Sequence, residues 1–178
     1  MVMRAFGDLT LYDRVGVVGQ DVTHDELLTQ EFATVTAPLD EVRDFVLQKA
    51  RMRPGFHELV ERYRPLIISG TFRELIEPVL EREGVSVELL ANRVEARPDG
   101  WRVKLRDGAT CRACGEGCKR AALPPGEVVY VGDGYSDQCA ALAASRVFAR
   151  AGLARYLDGE GVAYSPFDDL HDVAAGLD

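Results

Sequence analysis

Residues 128–141 read VVYVGDGYSDQCAA. The segment from Glu127 to Val131 has the apolar, β-branched character of a strand buried on both faces, as a parallel strand covered by helices is. It runs into the turn Gly132-Asp133-Gly134, and an alanine-rich helix is predicted from Ser136 to Ala144. Two carboxylates, Asp133 and Asp137, thus stand four residues apart where a strand hands over to a helix. Such a pair suits a hard, oxygen-seeking cation such as Mg2+. The flanking glycines let the backbone approach a bound anion. An acidic surface turn is the plainer alternative, but strand, turn, second acid and helix agree on a ligand turn.

Moving outward, Val147-Phe148-Ala149 reads as a further short strand. Upstream, Pro65-Leu66-Ile67-Ile68 is another continuous apolar run, closed by Ser69-Gly70, with a helix expected from Phe72 to about Glu83. Residues 85–106 hold two strand-like pieces around a Pro98-Asp99-Gly100 turn. Residues 21–50 read as two amphipathic helices broken near Ala37-Pro38, with Thr23 and Asp40 as N-caps, and another helix follows Pro54-Gly55. Strand, loop, helix and strand in alternation predict a doubly wound, Rossmann-like parallel α/β sheet. Ligands bind such sheets at the carboxyl ends of the strands. Ser69 and Asp133 are both expected there, facing one crevice.

The composition agrees. The chain has 178 residues, 47% of them hydrophobic, enough for a substantial core. A net charge of −8 with scattered basic residues argues against a nucleic-acid or anionic-membrane partner. No apolar run has the length of a membrane span, and the N-terminus lacks the order of a signal peptide. These features predict a cytoplasmic protein.

Three further residues carry chemistry. Ser69 and Gly70 offer a small hydroxyl and backbone N–H groups that would seat a phosphate at a helix N-terminus, although a serine there is also a common N-cap. Lys119 lies between this element and the acidic turn. Ser69, then Lys119, then Asp133 with Asp137 follows the motif order of the haloacid dehalogenase (HAD) superfamily of phosphatases. The resemblance, more narrowly to the phosphoserine-phosphatase-like branch, runs from about Phe45 through IISGTF, CKR and VGDGYSDQCAA to FARAGLARYLDGEGVAYSPFDDL. It implies a HAD-like core over 51–178 and a small helical cap represented by 1–50. It also implies a Mg2+-dependent phosphomonoester hydrolase of small phosphorylated metabolites. By that resemblance Ser69 would hydrogen-bond the phosphoryl group and Lys119 would neutralise its charge. Asp133 would hold Mg2+, and Asp137 would help hold the metal or orient Lys119.

The departure lies at the N-terminus. The family opens with a strand ending in Asp-x-Asp-x-Thr, the first Asp being the covalent nucleophile and the second the general acid/base. The only counterpart is Met3-Arg4-Ala5-Phe6-Gly7-Asp8-Leu9-Thr10. If Asp8 is the second Asp, Phe6 occupies the nucleophile position. If Phe6 is the intervening residue, both acids are gone, to Ala5 and Gly7. In a third reading residues 9–40 are the later part of the cap and the first strand lies upstream of Met1. The sheet would then need Val2–Phe6 as a replacement. A chain so built is expected to be an impaired hydrolase or a non-catalytic phospho-ligand-binding remnant.

Cys111, Cys114 and Cys118 precede Lys119. The first two have the spacing of a zinc knuckle, so a structural Zn2+ is one expectation and reduced loop thiols are the other. Cys139 reads as a core residue and a poor fourth ligand. His24, His57 and His171 are dispersed without ligand spacing and receive no role.

Overall fold

The computed structural model describes residues 1–12, 22–106, 111–116 and 118–178. They divide into two compact units, Met1–Ala50 with Ser69–Asp107, and Arg51–Ile68 with Gly108–Asp178. Residues 13–21 of the expected helical segment lie outside the described residues.

The first unit opens with helices α1 (Val2–Phe6) and α2 (Leu9–Tyr12), then α3 (His24–Phe32) and α4 (Leu39–Lys49). Val2–Phe6 is therefore no replacement strand. Its Met, Arg and Ala residues favour helix, its Met3 is buried, and Phe6 packs edge-on against Phe45 at 5.2 Å. Thr23 caps α3 in a reciprocal box: its hydroxyl accepts from Glu26 N, and the Glu26 carboxylate accepts from Thr23 N. The cap of α4 is Pro38 rather than the expected Asp40. The Pro38 carbonyl takes the first helical bond, from Val42 N. Asp40 instead joins Glu41 in the first turn, where carboxylates complement the helix dipole.

Strand β1 (Ile67–Phe72) is longer than expected and runs on through Ser69 and Gly70; α6 (Arg73–Arg82) follows directly. Strands β2 (Leu89–Glu95) and β3 (Arg102–Lys104) form an antiparallel hairpin with Val94 opposite Val103, and the sheet order is β1-β2-β3. The core gathers Val35, Val42, Phe72, Leu75 and Trp101, all essentially without solvent exposure. Phe32 meets Phe72 edge-on at 4.5 Å, and the Trp101 indole N–H donates to Ala37 O at 2.8 Å.

In the second unit, β4 (Val129–Gly132), β5 (Arg146–Ala149) and β6 (Ser165–Pro166) form a parallel sheet in that order, with Tyr130 opposite Val147 and Phe148 opposite Ser165. Alternation along β5 sends its residues to two cores. Val147 and Ala149 pack with Tyr130, Ala140, Ala141, Leu153 and Leu157, which include residues of α7 (Gln138–Ala141) and α8 (Ala151–Glu160). Phe148 packs with Leu59, Phe167, Val173 and Ala174, from α5 (Phe56–Tyr63), α9 (Leu170–Leu177) and the loop before it. A parallel sheet covered by helices on both faces is the doubly wound architecture predicted from the strand–helix alternation. Among the described residues the strands form two sheets, β1 taking β2 as its neighbour while β4 takes β5.

Candidate functional site

The turn after β4 is organised around Asp137. The helix expected from Ser136 begins as one 3-10 turn, Tyr135–Asp137, before α7. This places the Asp137 carboxylate under the Gly132–Gly134 backbone. Its Oδ2 accepts from Asp133 N at 3.0 Å and Gly134 N at 2.9 Å, and its Oδ1 accepts from the Tyr130 hydroxyl at 2.8 Å and Lys119 Nζ at 2.5 Å. A side chain at Gly132 would collide with it, since a Cβ there would lie 2.8 Å from Asp137 Cγ. Burial pushes the Asp137 carboxyl up, but Lys119, Gly134 N–H and the Tyr130 hydroxyl outweigh it and hold the group below the usual carboxylate range.

Lys119 opens a 3-10 turn, Lys119–Ala122, and its side chain is mostly shielded from solvent. Asp133 differs from Asp137. Its side chain is 57% exposed at the carboxyl end of β4, with Arg53 Nη2 3.7 Å away. The backbone around it is fixed from the β5–α8 connection: Arg150 N donates to Gly132 O and Leu153 N to Asp133 O. Ala151, between these two donors, has φ +48, a left-handed conformation uncommon for a residue with a side chain.

Lys119, Asp133 and Asp137 thus come together in the second unit. Ser69 and Gly70 belong to the first. They lie inside β1 and not at a helix N-terminus: α6 starts only at Arg73, the Ser69 hydroxyl accepts from Thr71 N at 3.1 Å, and Gly70 O accepts from the Asn92 amide at 2.9 Å. The Gly70 carbonyl is thus held by a side chain of β2. Asp8 precedes α2, where its carboxylate accepts from both the hydroxyl and the N–H of Thr10, at 2.8 and 2.9 Å. Those bonds hold it below the usual carboxylate range.

Three participants escaped the sequence reading. Tyr130 is a strand residue whose inward direction follows from alternation, but its hydroxyl could not be assigned a partner. Arg53 comes from a loop with no motif. Cys139, read as core, has its Sγ 3.8 Å from Cys111 Sγ, and the sulfurs of Cys111, Cys114, Cys118 and Cys139 all lie within 4.8 Å of one another. The chain segment after Asp137 turns into α7 and carries Cys139 to the loop thiols.

A family profile described as haloacid dehalogenase-like hydrolase matches residues 14–142. The chain is 25% identical over 174 residues to the 2-hydroxy-3-keto-5-methylthiopentenyl-1-phosphate phosphatase of Bacillus cereus (strain B4264), covering 90% of this chain and 80% of that protein. The protein of the same name from Bacillus mycoides (strain KBAB4) matches with the same identity and coverage. Among solved structures, phosphoserine phosphatase from T. onnurineus, crystallised in complex with NDSB-201, superposes with a TM-score of 0.65 at 21% identity. The match covers 92% of this chain and 76% of that one, which is a likeness of fold. Among the described residues no helix is long and apolar enough to cross a membrane.

Proposed function

The chain belongs to the haloacid dehalogenase-like hydrolase family, and from that premise we propose that it holds the phosphate of a small phosphorylated metabolite together with Mg2+, by descent as a phosphomonoester hydrolase. The observation that carries this reading is the shielded Lys119–Asp137 pair tied to the turn that presents Asp133. Phosphoryl transfer is catalysed largely by positioning and by neutralising charge on the phosphate oxygens. Lys119 spends one of its three N–H donors on Asp137 and carries the charge a phosphate oxygen needs. Asp133 is an exposed carboxylate oxygen donor, and Mg2+ is commonly held by one or two carboxylates with phosphate and water completing its shell. Asp137 already satisfies four protein donors, which favours a role in orienting Lys119 and the turn over direct metal ligation. Bound at Asp133, the cation would share in neutralising the phosphate. For Ser69 and Gly70, which belong to the other unit, a phosphate-contact role rests on the family resemblance alone. The names of the phosphatase relatives support the substrate class.

A second reading, a phospho-ligand-binding protein without turnover, is favoured by a specific observation. Val2–Phe6 is helical, Asp8 is engaged with Thr10, and the 178 residues contain no Asp-x-Asp pair. The family's covalent route needs that carboxylate to split one difficult step into two easier ones. The 178-residue chain is therefore expected to bind phosphate with Mg2+ while hydrolysing an aryl phosphate slowly or not at all.

Thermal unfolding with Mg2+, with phosphate and with both tests the binding. A ligand that binds only the folded state raises the midpoint by mass action. The expected result is a joint shift larger than the sum of the separate ones, abolished in Asp133→Asn. No shift under any combination would overturn the reading. Robust turnover that survives Asp133→Asn but not Asp8→Asn would show that both motifs had been misassigned.

A further inference from the structure

We propose that Cys111, Cys114, Cys118 and Cys139 bind one zinc ion as a tetrathiolate clip, which fastens the turn carrying Lys119 to the helix that follows Asp137. Four sulfurs placed about 2.3 Å from a tetrahedral centre lie about 3.8 Å apart along each edge. Cys111 and Cys139 have a separation of 3.8 Å, and no pair in the group exceeds 4.8 Å. That separation is far beyond the S–S bond of about 2.05 Å, and all four residues are free thiols. Free cysteines that serve only as small apolar side chains have no reason to face one another. Here one buried, one exposed and two half-buried cysteines from two chain segments turn their sulfurs to a common point.

The turn keeps Cys114 beside Glu116, with Cys114 Sγ 4.0 Å from Glu116 O. The chain reverses at Gly115, which has φ +75, with Gly115 N donating to Cys111 O and Cys111 N to Glu116 O, each at 2.8 Å. Only glycine adopts that backbone freely. The ligand set is soft and all sulfur, which selects zinc over the hard cations suited to Asp133.

Position gives the clip its consequence. Cys118 is the residue immediately before Lys119, and Cys139 comes two residues after Asp137. A metal shared by these sulfurs joins the two segments whose side chains form the Lys119–Asp137 pair. The site itself does not depend on any phosphatase reading, because its ligands are distinct from the phosphate-binding residues.

The test is metal analysis of the full chain purified without chelator under reducing conditions, followed by anaerobic replacement with Co2+. One zinc per chain is expected, with the strong ligand-field and sulfur charge-transfer bands of tetrahedral tetrathiolate cobalt. Cys139→Ser is expected to move the ligand-field bands to higher energy and to weaken zinc at least tenfold against a chromophoric chelator. Cys114→Ser should do the same. Should either variant fail to fold, chelator titration of the unaltered chain still decides, through release of one zinc and the appearance of four titratable thiols. Lys119→Met should keep its zinc, which separates this site from the phosphate site. The proposal is overturned by four freely reacting thiols with neither zinc nor a cobalt spectrum, by iron in place of zinc, or by a Cys111–Cys139 disulfide in the peptide map. An unchanged cobalt spectrum in Cys139→Ser would remove Cys139 as the fourth ligand.

Discussion

Lys119 Nζ lies 2.5 Å from Asp137 Oδ1, with the two side chains only 15% and 6% exposed. The same carboxylate takes the Tyr130 hydroxyl and two backbone N–H groups, so one acid fixes a strand residue, a turn and a cation at once. Removing one partner of a buried charge pair leaves the other uncompensated and costs about 3–5 kcal/mol. Asp137→Asn should lower unfolding stability in urea by that order. Tyr130→Phe, which deletes one hydrogen bond to a charged group, should cost about 1.5–3 kcal/mol. The double variant should fall short of the sum, because both act through one carboxylate. Additive losses would mean that the four contacts do not form a unit.

Two glycines of the same turn should respond differently to alanine. At Gly132 the new Cβ would sit 2.8 Å from Asp137 Cγ and 2.9 Å from its Cβ, and Asp137 is held from four sides. Overpacking of this kind costs about 1–3 kcal/mol. At Gly134 the nearest atom is Asp137 Oδ2 at 3.8 Å, and φ is −131, open to any residue. Gly134→Ala should change the thermal midpoint little, while Gly132→Ala should lower it clearly. Equal effects would remove the close approach of Asp137 as the reason for glycine at 132.

Ala151 holds φ +48 at the first position of α8, between the N–H groups that anchor Gly132 and Asp133. Left-handed backbone costs a non-glycine residue about 1–3 kcal/mol. Glycine is normally the worse residue in a helix, by about 1 kcal/mol relative to alanine. Here the sign should reverse, with Ala151→Gly neutral or stabilising by up to about 1 kcal/mol in chemical denaturation. A loss of stability would count against strain at this position.

The fold was legible wherever local pattern and tertiary partner coincide. The apolar run before Gly132 is a strand as expected, although of β4 only Tyr130 is buried and Val129 is exposed. Thr23 caps a helix as expected. Both were readable because those signals sit within a few residues of one another. Pairing was less legible. Nothing in Ile67–Phe72 says that its hydrogen bonds go to β2, since edge choice depends on residues far along the chain. The same limit explains the site. Asp133 and Asp137 declare themselves by their spacing on a strand–turn–helix, whereas Arg53 reaches Asp133 across 80 positions and Cys139 reaches Cys111 across 28. Cys139 also sits in an alanine-rich helix whose apolar neighbours disguise it as core.

Acid and neutral pH should probe two buried carboxyls with opposite signs. Asp137 is held below its ordinary value of 3.8: burial raises it, but Lys119 and its hydrogen bonds more than compensate. The unfolded chain therefore binds the proton more readily, so this group's contribution is complete above 3.8 and is lost as pH falls through the lower folded value. Glu31, buried near the end of α3, is raised above its ordinary 4.5 by burial, with only partial relief from the charge of His24. Its contribution is intact below 4.5 and is lost as pH rises through the higher folded value, leaving a penalty at neutrality. Glu31→Gln should therefore match the unaltered chain in acid and exceed it at neutral pH. Asp137→Asn should be less stable at neutral pH and flatten the acid limb of the curve. Both follow from denaturant midpoints measured over a series of buffers from about pH 3 to 7. A neutral-pH loss of stability in Glu31→Gln would mean that its carboxylate is compensated within the fold, and an unchanged acid limb in Asp137→Asn would assign acid lability to other groups.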